Sequence, residues 1–371
     1  MTKICAYNGW DPLKEVWLGD VWPEHFYDDF PADVKEHFKT ITQWTKEDLS
    51  KIESFLTSFG IAVIRPKIDN DSSLYHFHNT YYNKTVMVKP PIAVRDYTAV
   101  IGDTLYISDS VTINGGTSPW QETIDRYRQV GQKVSTNHPG TLSTANITRV
   151  GQDLIFDHAD YSLVKNSFLS KVQLDRIKNI VKNWKLEIEH FSKDYRCWLS
   201  LNGGHTDGCF SVVKPGLVLG NSYWPDYEQS FPGWEKIFLD KPEWRDHKYG
   251  NGFLPKWFVP DLPPTGRGVF NEFVMKHAKP WVGNYRETYF TVNLLILDSK
   301  NVVAIGKHDP IFEELEKRGI TVHVLPFRCS TFWDAGIHCI TADISRESTK
   351  IDYWPGRGSN GFYSLENRII L

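Results

Sequence analysis

A cysteine, a histidine, two aspartates and an asparagine stand at matching places along this 371-residue chain. Arg95-Asp96 comes just before the apolar run from Thr98, and Ala145-Asn146 just before Ile147. His205-Thr206-Asp207 stands just before Phe210, and His338-Cys339 just before Ile340-Thr-Ala-Asp-Ile344. A thiolate is a strong nucleophile, an imidazole moves protons near neutral pH, and carboxylates accept hydrogen bonds from charged donors. Together, such groups suit covalent catalysis. No local motif joins them, so the fold must.

The surrounding elements suggest how. Four stretches share one pattern of apolar strand, short polar turn and apolar strand: Thr98–Ser108, Ile147–Phe156, Phe210–Leu219 and Asn293–Ile305. Their turns (Gly-Asp, Gly-Gln-Asp, Pro-Gly, Asp-Ser-Lys-Asn) predict β-hairpins. Helical stretches follow and lead into further strands: Trp120 to Gln132 before Lys133-Val-Ser, Gln173 to Trp184 before Leu186-Glu-Ile-Glu, and Pro310 to Arg318 before Ile320. Lys46 to Phe59 likewise leads into Ile61-Ala-Val-Ile-Arg. The unit is strand-strand-helix-strand, used about five times, and such repeats pack radially or as a solenoid. If they surround a pseudo-symmetry axis, the reactive residues converge at its centre. A single domain over residues 1–371 is expected, and tandem α/β domains are the plainer alternative.

Each residue alone has a plainer meaning. A His-x-Asp pair usually lies on a surface, and most free cysteines are buried small hydrophobes, as expected for Cys5, Cys197, Cys209 and Cys329. His76-Phe-His78 has metal-ligand spacing without an acidic or cysteine partner nearby, and Asp157-His158-Ala-Asp160 reads as a solvated turn. Gly115-Gly116 and Gly203-Gly204 lack the setting of a phosphate loop. The Asn83-Lys-Thr85 and Asn146-Ile-Thr148 sequons mean nothing without secretion. A formal net charge of -3 and 23% charged residues argue against a nucleic-acid-coating protein. No apolar run could span a bilayer, and the start lacks a signal-peptide core. Five scattered cysteines without CxxC form no disulfide framework. A cytoplasmic protein is expected.

Along nearly its whole length the sequence resembles the arginine:glycine amidinotransferases, within the guanidine-modifying enzymes. The resemblance rests on Trp10-Asp-Pro-Leu-Lys-Glu-Val-Trp-Leu-Gly19, Arg95-Asp96, Arg149-x-Gly151-x-Asp153, His205-Thr-Asp207, Pro215-Gly216-Leu-Val-Leu219, Asn293-Leu-Leu-Ile-Leu-Asp298 and His338-Cys339-x-Thr-x-Asp343-x-x-Arg346. It implies an α/β fold, a five-bladed α/β-propeller of pseudo-symmetric strand-strand-helix-strand units. It implies Cys339 as nucleophile, His205 as acid and base, Asp96 and Asp207 as guanidinium ligands, and Arg95 and Asn293 as further substrate-binding residues. The family's histidine-orienting aspartate falls on Asn146, the third catalytic position here. After Leu219 the chain reads Gly-Asn-Ser-Tyr-Trp, where the family has an arginine for the substrate carboxylate.

The implied roles make physical sense. A guanidinium is a planar cation whose forked N–H donors match carboxylates. A bound cation favours the Cys339 thiolate, and His205 can protonate the amine that leaves. The implied reaction takes the amidino group of L-arginine onto Cys339 and releases L-ornithine, without metal or organic cofactor. An amine acceptor then takes the group; no nucleic acid or membrane is involved, and a homodimer is left open. The second expectation is an arginine hydrolase giving ornithine plus urea, or citrulline plus ammonia. The third is a non-catalytic binding module, as in ribosome anti-association factors.

Overall fold

Each hairpin expected from the sequence forms, and each recruits a third strand. The computed structural model describes residues 1–68, 76–79, 84–87, 89–108, 118–136, 144–157, 182–200, 205–239, 259, 261–282 and 290–358. Among the described residues there are five three-stranded sheets. In the first blade Thr98–Ile101 pairs antiparallel with Thr104–Ile107, which pairs in parallel with Lys133–Ser135 after the helix Gln121–Gln129. Ile147–Val150, Asp153–Asp157 and Arg196–Ser200 repeat this in the second blade. Phe210–Lys214, Leu217–Gly220 and Glu235–Phe238 repeat it in the third. Leu295–Ile296, Asn301–Ile305 and Thr321–Leu325 form the fourth. This is the five-bladed α/β-propeller.

The fifth blade uses both ends of the chain. Thr341–Arg346 pairs antiparallel with Leu13–Leu18, which pairs in parallel with Ala62–Ile64. The helix Ala32–Ser58 crosses over between the last two. It begins well before the Lys46 expected, because Val34, Phe38, Ile41, Leu49, Ile52 and Leu56 form one buried face at helical spacing. Fully burying such side chains stabilises by about 1.5–3 kcal/mol each. Leu186-Glu-Ile-Glu departs from expectation: it lies in a helix spanning 182–191, and the blade's outer strand comes later at Arg196–Ser200. Ile188 and Phe191 are buried there, a spacing of three that the alternation of Leu186 to Glu189 concealed.

The N-terminal segment laces the face onto which the hairpins turn. Ala6 bridges Gly102, Asn8 bridges Val150, and Cys5 bridges Ser345. The Leu13 N–H donates to the Leu297 carbonyl at 2.9 Å. The opposite face therefore holds the approaches to the five inner strands. His76–Asn79 and Lys84–Met87 make a separate hairpin. Asn83, Gly115-Gly116, His158, Asp160 and Gly203-Gly204 lie outside the described residues.

Candidate active site

The reactive residues do converge at those five approaches. Arg95 and Asp96 occupy the turn Val94–Asp96, Asn146 the turn Thr144–Asn146, and Asp207 the short helix Thr206–Cys209 capped by His205. Asn293 and Cys339 immediately precede the inner strands of the fourth and fifth blades.

A closed circuit of hydrogen bonds ties the five approaches together. Thr144 Oγ1 donates to the Arg95 carbonyl at 2.6 Å, and Thr206 Oγ1 to the Ala145 carbonyl at 2.8 Å. Asn293 Nδ2 donates to the Asp207 carbonyl at 3.0 Å, and the His338 N–H to Asn293 Oδ1 at 2.8 Å. The Arg95 N–H closes the ring on the Cys339 carbonyl at 3.0 Å. Every blade is thereby registered against the next at the level of the site.

Asn293 is the hub of this ring. Its carboxamide oxygen accepts from the backbone N–H groups of His338 and Cys339, the latter at 3.2 Å. Its Nδ2 donates both to the Asp207 carbonyl and, at 3.1 Å, to Cys339 Sγ. Both donors and both lone pairs are used. Gly336 makes room: a Cβ there would lie 2.2 Å from Asn293 Oδ1. Asn293 thus holds the sulfur and its backbone, where a substrate contact was expected.

Two carboxylates flank the thiol. Asp207 Oδ2 accepts from Cys339 Sγ at 3.4 Å and from His338 Nδ1 at 2.9 Å. Burial, then Asp207 and Asp96, push the Cys339 thiol well above its ordinary value. Burial also pushes Asp207 up, but His338, His205 and Arg95 outweigh it and hold Asp207 at about 2. Asp96 goes the other way: burial, Asp207 and Asp334 raise it against the pull of His205 and Lys89. His205 Nδ1 lies 3.6 Å from Asp96 Oδ1, and its side chain is 46% exposed in the cleft. The unliganded site is therefore a thiol between carboxylates, facing an accessible imidazole.

Two expected site residues, Arg95 and Asn146, lie deeper than the thiol and imidazole. The Arg95 guanidinium turns inward, donating to the Thr341 carbonyl at 2.9 Å and pairing with Asp343 Oδ1 at 2.5 Å. Arg149 and Arg346 join it on the same carboxylate, and the three guanidinium groups hold Asp343 well below the usual carboxylate range despite its burial. Arg95 is held by this cluster and braces the Cys339 turn, while its Nη2 has no hydrogen-bond partner among the described residues. Asn146 is buried, and its Oδ1 has no hydrogen-bond partner among the described residues. Asp96 stands beside the His205 ring.

Sequence reasoning gave no role to Thr144, Thr206 or the His338 ring. A polar residue one or two places from a candidate was the available signal. Between the ring and the N-terminal lace lies a cavity of about 50 Å³, lined by Trp10, Arg95, Arg149, Asp207, Ser211 and His338 among others. Asn221, after Leu219, donates to the Gly208 carbonyl at 3.2 Å, and Tyr223 is exposed. No group of three or more metal-ligating side chains occurs among the described residues, and no described helix is long and apolar enough to cross a membrane.

A propeller with a thiol, an imidazole and paired carboxylates at its axis is suited to covalent chemistry on a cationic substrate. By sequence and fold the chain is similar to the amidinotransferases over nearly its whole length. No family model matches it. It is 23% identical over 418 residues to a mitochondrial glycine amidinotransferase of Xenopus tropicalis, covering 95% of this chain and 85% of that one. It is 20% identical to an L-arginine:L-lysine amidinotransferase of Pseudomonas savastanoi pv. phaseolicola, covering 95% and 97%. Among solved structures, an amidinotransferase of the saxitoxin pathway from Microseira wollei matches with a TM-score of 0.62 and 16% identity, covering 95% and 100%. An inosamine-phosphate amidinotransferase from Streptomyces griseus matches with a TM-score of 0.59 and 17% identity, covering 95% and 99%. These likenesses support amidino transfer in general as the chemistry of this enzyme.

Proposed function

We propose that the protein takes the amidino group of L-arginine onto Cys339, releases L-ornithine, and passes the group to an amine. One observation carries this reading: the Cys339 thiol is buried 3.4 Å from Asp207 Oδ2, and burial, then Asp207 and Asp96, favour its protonated form until a cation enters between the carboxylates. The arginine guanidinium is such a cation, and its planar N–H fork suits both carboxylates. Its arrival favours loss of the thiol proton to His205, leaving the thiolate that Asn293 Nδ2 contacts. Sulfur attacks the central carbon, and the adduct collapses by breaking the bond to the side-chain nitrogen. His205 protonates that nitrogen as ornithine leaves, so Cys339 carries an amidino-thioether. The neutral imidazole then takes a proton from the incoming amine, which attacks the same carbon and releases the thiolate.

No arginine stands in Gly220-Asn-Ser-Tyr-Trp224, directly after Leu219, so the reading assigns no acceptor by its carboxylate. The protein is read as cytoplasmic, consistent with five free cysteines. Acid quench during turnover with arginine is expected to add about 42 Da, one amidino group, to the Cys339 peptide. Ornithine should appear with it. An adduct on another cysteine, or turnover by Cys339→Ser, refutes the reading.

A further inference from the structure

The His338 side chain has no part in the steps above, yet it is the nearest partner of a carboxylate that meets the cation. Its Nδ1 and the Cys339 thiol share one oxygen, Asp207 Oδ2, at 2.9 and 3.4 Å. The other oxygen, Asp207 Oδ1, has no hydrogen-bond partner among the described residues. The His338 backbone is fixed on both sides: its N–H by Asn293 Oδ1, its carbonyl by the Thr341 N–H at 3.2 Å and Arg95 Nε at 3.4 Å. The side chain is 25% exposed and faces the axial cavity with Arg95 and Asp207. A carboxylate acceptor at Nδ1 selects the tautomer that carries its proton there.

We propose that His338 is a positioning residue: as a neutral Nδ1–H donor it anchors Asp207 Oδ2, keeping the thiol from becoming that oxygen's main donor and leaving Oδ1 for the substrate cation. This rests on the reading of Asp207 as a guanidinium ligand. Without the imidazole donor, a stronger S–H to carboxylate bond stabilises the thiol over the thiolate. With a protonated imidazole, Asp207 is neutralised and the substrate cation meets a like charge. The groups that face the ring are Asp207 from the third blade, Arg95 from the first, Asp343 from the fifth, Arg149 across the cavity and the adjacent Cys339. Burial and Arg95 lower its basicity against the pull of Asp207 and Asp343, so the neutral donor is the resting form.

Two variants test this. The rate of Cys339 alkylation by iodoacetamide, read on its own peptide, should fall roughly tenfold at about pH 8 in His338→Ala, a change of about one pKa unit in the thiol. KM for arginine should rise more than kcat falls. His338→Asn, whose amide can donate to Asp207 but cannot become charged, should recover the alkylation rate. It should also keep arginine affinity in acid where the unaltered protein loses it. Unchanged alkylation in His338→Ala, or an unchanged acid limb in His338→Asn, overturns the proposal. If His338→Ala does not fold, the acid limb of His338→Asn decides. Alkylation needs no turnover, so a normal alkylation response without any amidino adduct would defeat the proposed reaction and leave the role of His338 standing.

Discussion

Replacing Asp207 by asparagine should move two measurements in opposite directions. The carboxylate lies 3.4 Å from the sulfur. Two unit charges at that separation repel by about 5 kcal/mol at an effective dielectric of about 20, and by about 1 kcal/mol in water. The site is buried but opens to the cleft, so the loss of repulsion falls between those limits. At about 1.4 kcal/mol per tenfold, the Cys339 thiolate fraction near neutral pH should rise roughly ten- to thousandfold. Iodoacetamide should then alkylate Cys339 faster, with the gain reduced because a more acidic thiolate is a weaker nucleophile. Arginine should bind worse, since truncating one partner of a buried charge pair costs roughly 2–5 kcal/mol. Alkylation is followed on the Cys339 peptide, and binding by protection of that peptide with arginine. Slower or unchanged alkylation would mean that the Asp207 charge does not govern the sulfur, and the reasoning fails.

Two further substitutions probe the scaffold. Gly336→Ala puts a Cβ 2.2 Å from Asn293 Oδ1 and 2.5 Å from its Cγ, so the hub must shift; kcat should fall on the order of a hundredfold, with about 1–3 kcal/mol lost in urea unfolding, and full activity would mean that the hub is not needed. Asp343→Asn leaves three buried guanidinium groups without their carboxylate, and should cost about 3–5 kcal/mol. Because the folded-state pKa of Asp343 is held far below the unfolded value of about 3.9, its contribution is complete above that value and is lost as pH falls toward the folded one. The variant should therefore show a shallower loss of stability in acid than the unaltered protein, and parallel acid slopes would contradict the assignment.

How much of this was written in the sequence depends on the range of each interaction. Hairpins such as Thr98–Ile101 with Thr104–Ile107 are local: turn residues and alternation specify them, and they formed where expected. The convergence of Asp96, His205, Asp207 and Cys339 followed from their common phase once the repeat was recognised, whereas Asn293 was legible only through the family resemblance. The direction of a side chain did not follow. Arg95 and Asp96 are adjacent, yet one faces an aspartate 248 positions later in the chain and the other faces His205. Asn146 shares the phase, but its Oδ1 has no hydrogen-bond partner among the described residues. Leu186–Glu189 misled because four residues fit either period, and only the burial of Phe191 decides.

The buried charges explain why these parts belong together. Arg95, Arg149 and Arg346 surround Asp343, which leaves an excess of two positive charges at the axis. Asp207 and Asp96 supply the two negative charges that balance it, and Arg95 is among the groups that hold Asp207 ionised. On the proposed reading, arginine brings one positive charge and Cys339 loses one proton, so the site remains balanced while the nucleophile is formed. Arginine binding should therefore release a proton, taken up by His205 or by solvent. The closing strand Thr341–Arg346 carries Asp343 and follows Cys339 directly, while its partner Leu13–Leu18 comes from the other end of the chain. Cys339, the Asp343 cluster and the closure of the ring thus all depend on this one strand pair.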